Sequence, residues 1–131
     1  MRELEVLIDE AWERRAELAE TAIADRLRPA LERVLDALEA GTVRVAEPDG
    51  KGGWHTRQWL KKAVLLYFRV SPNSCMDGGA MPAFDKVPLR FAGATEAAFR
   101  AAGARVVPGA LVRRGAHVGA GAVLMPSYVN I

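Results

Sequence analysis

Cysteine is nearly missing from this 131-residue chain: Cys75 stands alone. One thiol cannot form an internal disulfide, and the count fits a reducing, cytoplasmic setting. With no CxxC and no histidine beside it, Cys75 reads as an unreactive thiol. Histidine is scarce too. His55 and His117 lie far apart in the chain, and neither has a carboxylate at ligand spacing, so no metal site is expected. Charge of one sign is also lacking. The net charge is +2, and no Lys/Arg run exceeds two residues, which argues against a nucleic-acid partner. No apolar run reaches the ~18 residues that a membrane span needs, and the N-terminus mixes acidic with apolar residues, unlike a signal peptide. No GxxxxGK[ST], Ser/His/Asp or HExxH arrangement is present.

What remains is ordinary in bulk. Hydrophobic residues make up 50% and charged residues 26% of the chain, as in a soluble globular domain. The order in the sequence lies in its last stretch, residues 106–131. Read in sixes, an aliphatic residue opens each complete hexad: Val106, Val112, Val118 and Leu124. Ala110, Ala116 and Ala122 stand four positions later, and Tyr128 breaks that column. A period of six fits neither a helix, at about 3.6, nor a free strand, at about 2. It predicts the first coils of a left-handed parallel β-helix, with the aliphatics inside and the small residues at the corners. Residues 106–123 make one coil, and residues 124–131 begin another. A solenoid needs roughly three stacked repeats. The chain is therefore expected to be truncated, or to have its open coil covered by a partner.

Ahead of the hexads the periodicity is helical. Residues 3–19 predict an amphipathic helix with Leu4, Leu7, Ile8, Ala11, Trp12 and Leu18 on one side, and with a gap at Arg15. Residues 25–40 predict a second, with Asp25 as N-cap, Pro29 near the first turn and Gly41 as the stop. A strand from Thr42, a glycine-rich turn and a return at Trp54 predict a short hairpin. Residues 56–69 favour a third helix, although the run from Val64 to Val70 also suits a buried strand; Lys61 and Lys62 read as solvated. Residues 71–83 read as a loop, residues 84–91 as extended chain, and residues 95–103 as a short helix with a Thr95 cap and a Gly103 stop. The expected class is α+β: an α-rich domain over 1–103, then the start of the β-helix over 104–131. Arg105 stands where that β-helix starts. A guanidinium there could grip a carboxylate through two parallel hydrogen bonds, but spacing alone favours a solvated or ion-paired arginine.

Four stretches in this order carry a resemblance: Gln58-Trp-Leu-Lys-Lys-Ala-Val-Leu-Leu, Phe84-Asp-Lys-Val-Pro, Arg105-Val-Val-Pro and Leu124-Met-Pro-Ser-Tyr-Val-Asn-Ile. Together they resemble the tetrahydrodipicolinate N-succinyltransferases of bacterial lysine and diaminopimelate biosynthesis, over essentially the whole chain. The resemblance implies a helical domain joined to a left-handed β-helix, in a homotrimer. It implies transfer of succinyl from succinyl-CoA, a co-substrate, to the amine of a ring-opened dicarboxylate, with no prosthetic group. Arg105 matches the family's substrate-carboxylate arginine. The family's catalytic acidic residue falls past Ile131, so this chain is expected to hold no catalytic residue and to be inactive alone. CoA is expected along later coils. The alternative is a complete, non-catalytic interaction module whose open coil docks on another chain.

Overall fold

A computed structural model describes residues 1–18 and 21–131. The protein is α+β. Among the described residues there are four helices and four two-stranded sheets, and the chain divides into two compact units, Met1–Ser71 and Pro72–Ile131. This division follows packing. The 103/104 boundary follows the sequence period, and the two do not coincide, because the chain from Pro72 onward packs with the hexads.

The first unit is built around its third helix. α1 spans Arg2–Glu13, α2 spans Thr21–Glu39 and α3 spans Gln58–Val70. α3 packs against both of the others. It buries Trp59, Leu60, Ala63, Leu66, Tyr67 and Val70, a stripe at steps of three and four that settles Val64 to Val70 as helix and not strand. α2 answers with Leu27, Leu31, Val34, Leu35 and Leu38, and α1 with Leu4 and Ile8. α3 stops where Pro72 pushes Ser71 into extended backbone (ψ 127°). The Arg28 guanidinium then donates to the last helical carbonyl, Val70 O, at 2.7 Å.

Two helix boundaries differ from expectation. α1 ends at Glu13 and not near residue 19, which lies outside the described residues. The gap in its stripe at Arg15 is the reason. A continued helix would turn that cation inward, and instead the guanidinium donates to Trp12 O (2.8 Å) and stacks on the Trp12 ring. α2 begins at Thr21, so Asp25 is no cap and Pro29 lies inside the helix. Both side chains face solvent, where water can take the carbonyl that the missing proline N–H leaves free. The predicted hairpin forms as β1 (Ala46–Pro48) against β2 (Trp54–Thr56), starting later than Thr42. Its turn is held by Asp49, whose Oδ1 accepts from the N–H groups of Lys51 and Gly53. Lys62, expected to be solvated, reaches Asp9 Oδ1 at 2.7 Å, and the N-cap of α3 is Arg57.

The second unit corrects the reading of residues 71–83 as a loop. β3 (Ser74–Asp77) and β4 (Pro82–Asp85) form an antiparallel hairpin. Polar and small residues hid it, because its outer face, with Cys75 and Phe84, is exposed and carries no apolar alternation. α4 (Glu96–Ala102) behaves as predicted: Thr95 Oγ1 accepts from Ala98 N, and Gly103 ends the helix at φ +64°. Four two-residue strands follow: β5 (Arg105–Val106), β6 (Leu111–Val112), β7 (Val123–Leu124) and β8 (Tyr128–Val129). β5 pairs parallel with β7, and β6 parallel with β8.

The hexad pattern is only partly realised in burial. Val112 and Val118 are buried with Ala116, and Leu124 packs on them. Val106 is half-buried and outside that cluster. Ala116 and Ala122 belong to the apolar cluster and do not merely ease a corner. The period also slips once. Val106 lies beside Leu124, but Val112 lies beside Val129, where an unbroken period of six would bring Asn130. The turn through Pro126 and Ser127 is one residue short, and the slip keeps an aliphatic side chain against the cluster.

An ion pair ties the hairpin to this layer. Arg113 donates to Asp85 Oδ2 at 2.6 Å and to Asn130 Oδ1 at 3.2 Å, and its guanidinium lies over the Tyr128 ring. Asp85 is held below the usual carboxylate range, first by the Lys86 N–H and further by Arg113.

Two outcomes are expected. Leu60→Ala, at a site with no exposure, should cost about 2–5 kcal/mol in urea unfolding monitored by helical circular dichroism. Asp85 has a lowered folded pKa, so its contribution is complete above its unfolded value of about 3.9 and is lost as pH falls through the folded one. Acid titration of the second unit, followed by amide exchange, should therefore show protection falling on the acid side of pH 4. Asp85→Asn should flatten that dependence.

Candidate functional site

The sequence points to Arg105, and the fold places it on the outward side of a parallel ladder. Helix α4 ends at Ala102, Gly103 turns the chain, and β5 begins two residues later. A side chain at Gly103 would need positive φ and would bring a Cβ to 3.3 Å from Ala120 Cβ. The approach is held by Gly121 N donating to Gly103 O (2.7 Å), Arg105 N to Ala122 O (2.9 Å) and Val107 N to Leu124 O (2.9 Å). The backbone of Arg105 is therefore anchored on both sides by the ladder.

Strand alternation then decides the direction of the side chain. Leu124 packs on the buried cluster, so its neighbour Val123 faces the opposite way, and Val123 is 50% exposed. Arg105 is in register with Val123 and is exposed as well. Among the described residues no hydrogen bond or ion pair engages the Arg105 guanidinium. Its backbone is fixed by the ladder, and its cationic head is open to solvent. Such a group can receive a carboxylate in two-point fashion, because its donors are not already used.

Three other arginines of this unit differ. Arg113 is committed to Asp85 and Asn130, Arg100 to Glu96 at 2.6 Å, and Arg90 to Ala116 O at 2.8 Å. The sequence did not single out Arg113 or Asp85, because their pairing depends on a hairpin that was not foreseen. The adjacent turn is tight: Gly109 adopts φ +94°, and a Cβ there would sit 3.5 Å from Pro126. A cleft of about 270 Å³ opens beside it, lined by Phe91, Phe99, Val106, Pro108 and Leu111 among others, with the two phenylalanine rings stacked at 4.9 Å.

The remaining expected residues gather into no site. Cys75 is exposed on β3, and His55 is exposed on β2. Among the described residues no group of three or more His, Cys, Asp or Glu could hold a metal ion, and no helix is long and apolar enough to cross a membrane.

Known proteins now bear on this geometry. The family described as "Tetrahydrodipicolinate N-succinyltransferase N-terminal" matches residues 3–70. The chain is 52% identical over 124 residues to the 2,3,4,5-tetrahydropyridine-2,6-dicarboxylate N-succinyltransferase of Xylella fastidiosa (strain 9a5c), covering 95% of this chain and 45% of that protein. It is 50% identical to the same-named protein of Delftia acidovorans, over 99% of this chain and 47% of that one. To that of Methylobacillus flagellatus it is 50% identical over all of this chain and 48% of the relative. The chain thus spans about half the length of the curated relatives that it matches. With more than half of its residues matched by the family, the chain belongs to the tetrahydrodipicolinate N-succinyltransferases, in their N-terminal region.

Proposed function

We propose that the chain serves as the N-terminal part of an acyltransferase that moves succinyl from succinyl-CoA to the amine of ring-opened tetrahydrodipicolinate, in lysine and diaminopimelate biosynthesis. The observation that carries this reading is the family match joined to relatives named for that transfer. In this reading residues 104–131 open a left-handed β-helix. The parallel pairs β5–β7 and β6–β8 support it, since they bring successive hexads side by side. The assembly is a cytoplasmic homotrimer, with CoA lying along later coils.

Arg105 takes one carboxylate of the dianionic acceptor. Its anchored backbone, exposed head and lack of a partner among the described residues support that role. The chemistry is attack of the amine nitrogen on the thioester carbonyl, with loss of CoA thiolate. A base must accept the amine proton and a donor must steady the oxyanion. Arg105 contributes position, not proton transfer: it holds the acceptor so that the amine sits at a fixed distance from the thioester.

Two measurements test the reading. A charge-assisted pair in a partly dry cleft is worth roughly 1.5–3 kcal/mol. In the complete gene product, Arg105→Ala should therefore raise KM for the amino-dicarboxylate by about tenfold to a hundredfold, since each 1.4 kcal/mol is about a factor of ten. Arg105→Lys should also weaken binding, because it keeps the charge and loses the fork. KM for succinyl-CoA and the melting temperature should hold. An unchanged acceptor KM, or an effect on succinyl-CoA alone, would show Arg105 to be structural. The 131 residues by themselves should release no thiol from succinyl-CoA in the presence of an amino-dicarboxylate; turnover near that of a longer relative would overturn the expectation.

A further inference from the structure

The register of β5 against β7 has a consequence for the acceptor. Arg105 and Val123 are direct parallel partners, so their side chains leave the ladder on one face, about 4.8 Å apart at the backbone. Val123 is 50% exposed, whereas its neighbour Leu124 packs on the buried cluster. The outward face therefore presents a cationic fork beside a bare isopropyl group. Neither half is satisfied by the described residues. A ligand that fits both joins an anionic group to apolar carbon, as a carboxylate on a methylene chain does.

We infer that Val123 is a specificity-determining residue: it carries the methylene chain of the dicarboxylate whose carboxylate is held by Arg105. This rests on the carboxylate-binding role of Arg105 given above. The geometry supplies a division of labour. Arg105 reads the charge, and Val123 reads the carbon chain next to it. A short dicarboxylate, with little chain to lay on Val123, gains the ion pair alone. A long one gains both, and its far carboxylate is carried beyond Val123 along the outward face.

The test is steady-state kinetics on the complete gene product, with L-2-aminopimelate and the shorter L-glutamate as amino acceptors. Wild type should prefer the longer acceptor. Removing the two methyls in Val123→Ala should raise KM for aminopimelate by about three- to tenfold, by the usual worth of buried methyl groups, and leave glutamate nearly unchanged, so the preference shrinks. Val123→Thr, of similar shape but polar, should shrink it as well. Val123→Asp should raise both KM values at least about tenfold, because its carboxylate pairs with Arg105 in place of the ligand. KM for succinyl-CoA should not move in any of them. If Val123→Ala lowers the melting temperature but leaves the acceptor preference intact, Val123 is only packing and the inference falls. If Arg105→Ala weakens the acceptor while no Val123 variant does, the inference falls and the Arg105 reading stands. If neither has an effect, both fall. Titration of the isotope-labelled 131-residue chain with pimelate gives a readout without turnover. The Arg105 amide and the Val123 methyls should shift together, and a shift at Arg105 alone would refute the role of Val123.

Discussion

The second unit depends on a backbone constraint, the parallel pairing of β5 with β7. Two hydrogen bonds, Arg105 N to Ala122 O and Val107 N to Leu124 O, set which residues lie side by side. Once the register is set, alternation sends Leu124 toward the apolar layer and Arg105 and Val123 away from it. A shift of one residue would exchange the two faces, burying a guanidinium and exposing an aliphatic layer. Such burial without a partner would cost several kcal/mol. The ladder is short, and the cost of the wrong register does much of the work of specifying it.

Neighbouring features guard the same register. Gly103 ends α4 in a conformation that a Cβ would crowd against Ala120, so the chain enters β5 at one angle. Arg113, one strand on, links Asp85 of the hairpin to Asn130 after β8. That link spans three segments far apart in sequence, and its charges are partly screened. Its value lies more in fixing alignment than in raw stability. The one-residue slip before Val129 belongs to the same logic: the pattern gives way in a turn so that an aliphatic stays on the layer.

The first unit follows a simpler rule. Three helices share one apolar layer, with α3 touching both neighbours. Its stripe was legible, and so was the glycine stop after α2. The ends that were misplaced are those where local signals lost to tertiary ones. Asp25 and Pro29 look like a helix start, yet α2 begins earlier because Ala24 is buried with the stripe. Arg15 ended α1 early because a cation had no place in the layer.

The sequence by itself determined the periodicities, and with them the element types: 3.6 for the helices, six for the tail. It also determined the family, because four motifs in order need no coordinates to be recognised. Arg105 could be named from them. Only the tertiary structure decided what surrounds that arginine. Pairing between residues eighteen apart is a long-range choice, and no local pattern states that Val123 lies beside Arg105. The hairpin β3–β4 and its Asp85–Arg113 link were invisible for the same reason: an exposed strand face carries no hydrophobic alternation, and an ion pair between distant segments exists only once the backbone has brought them together.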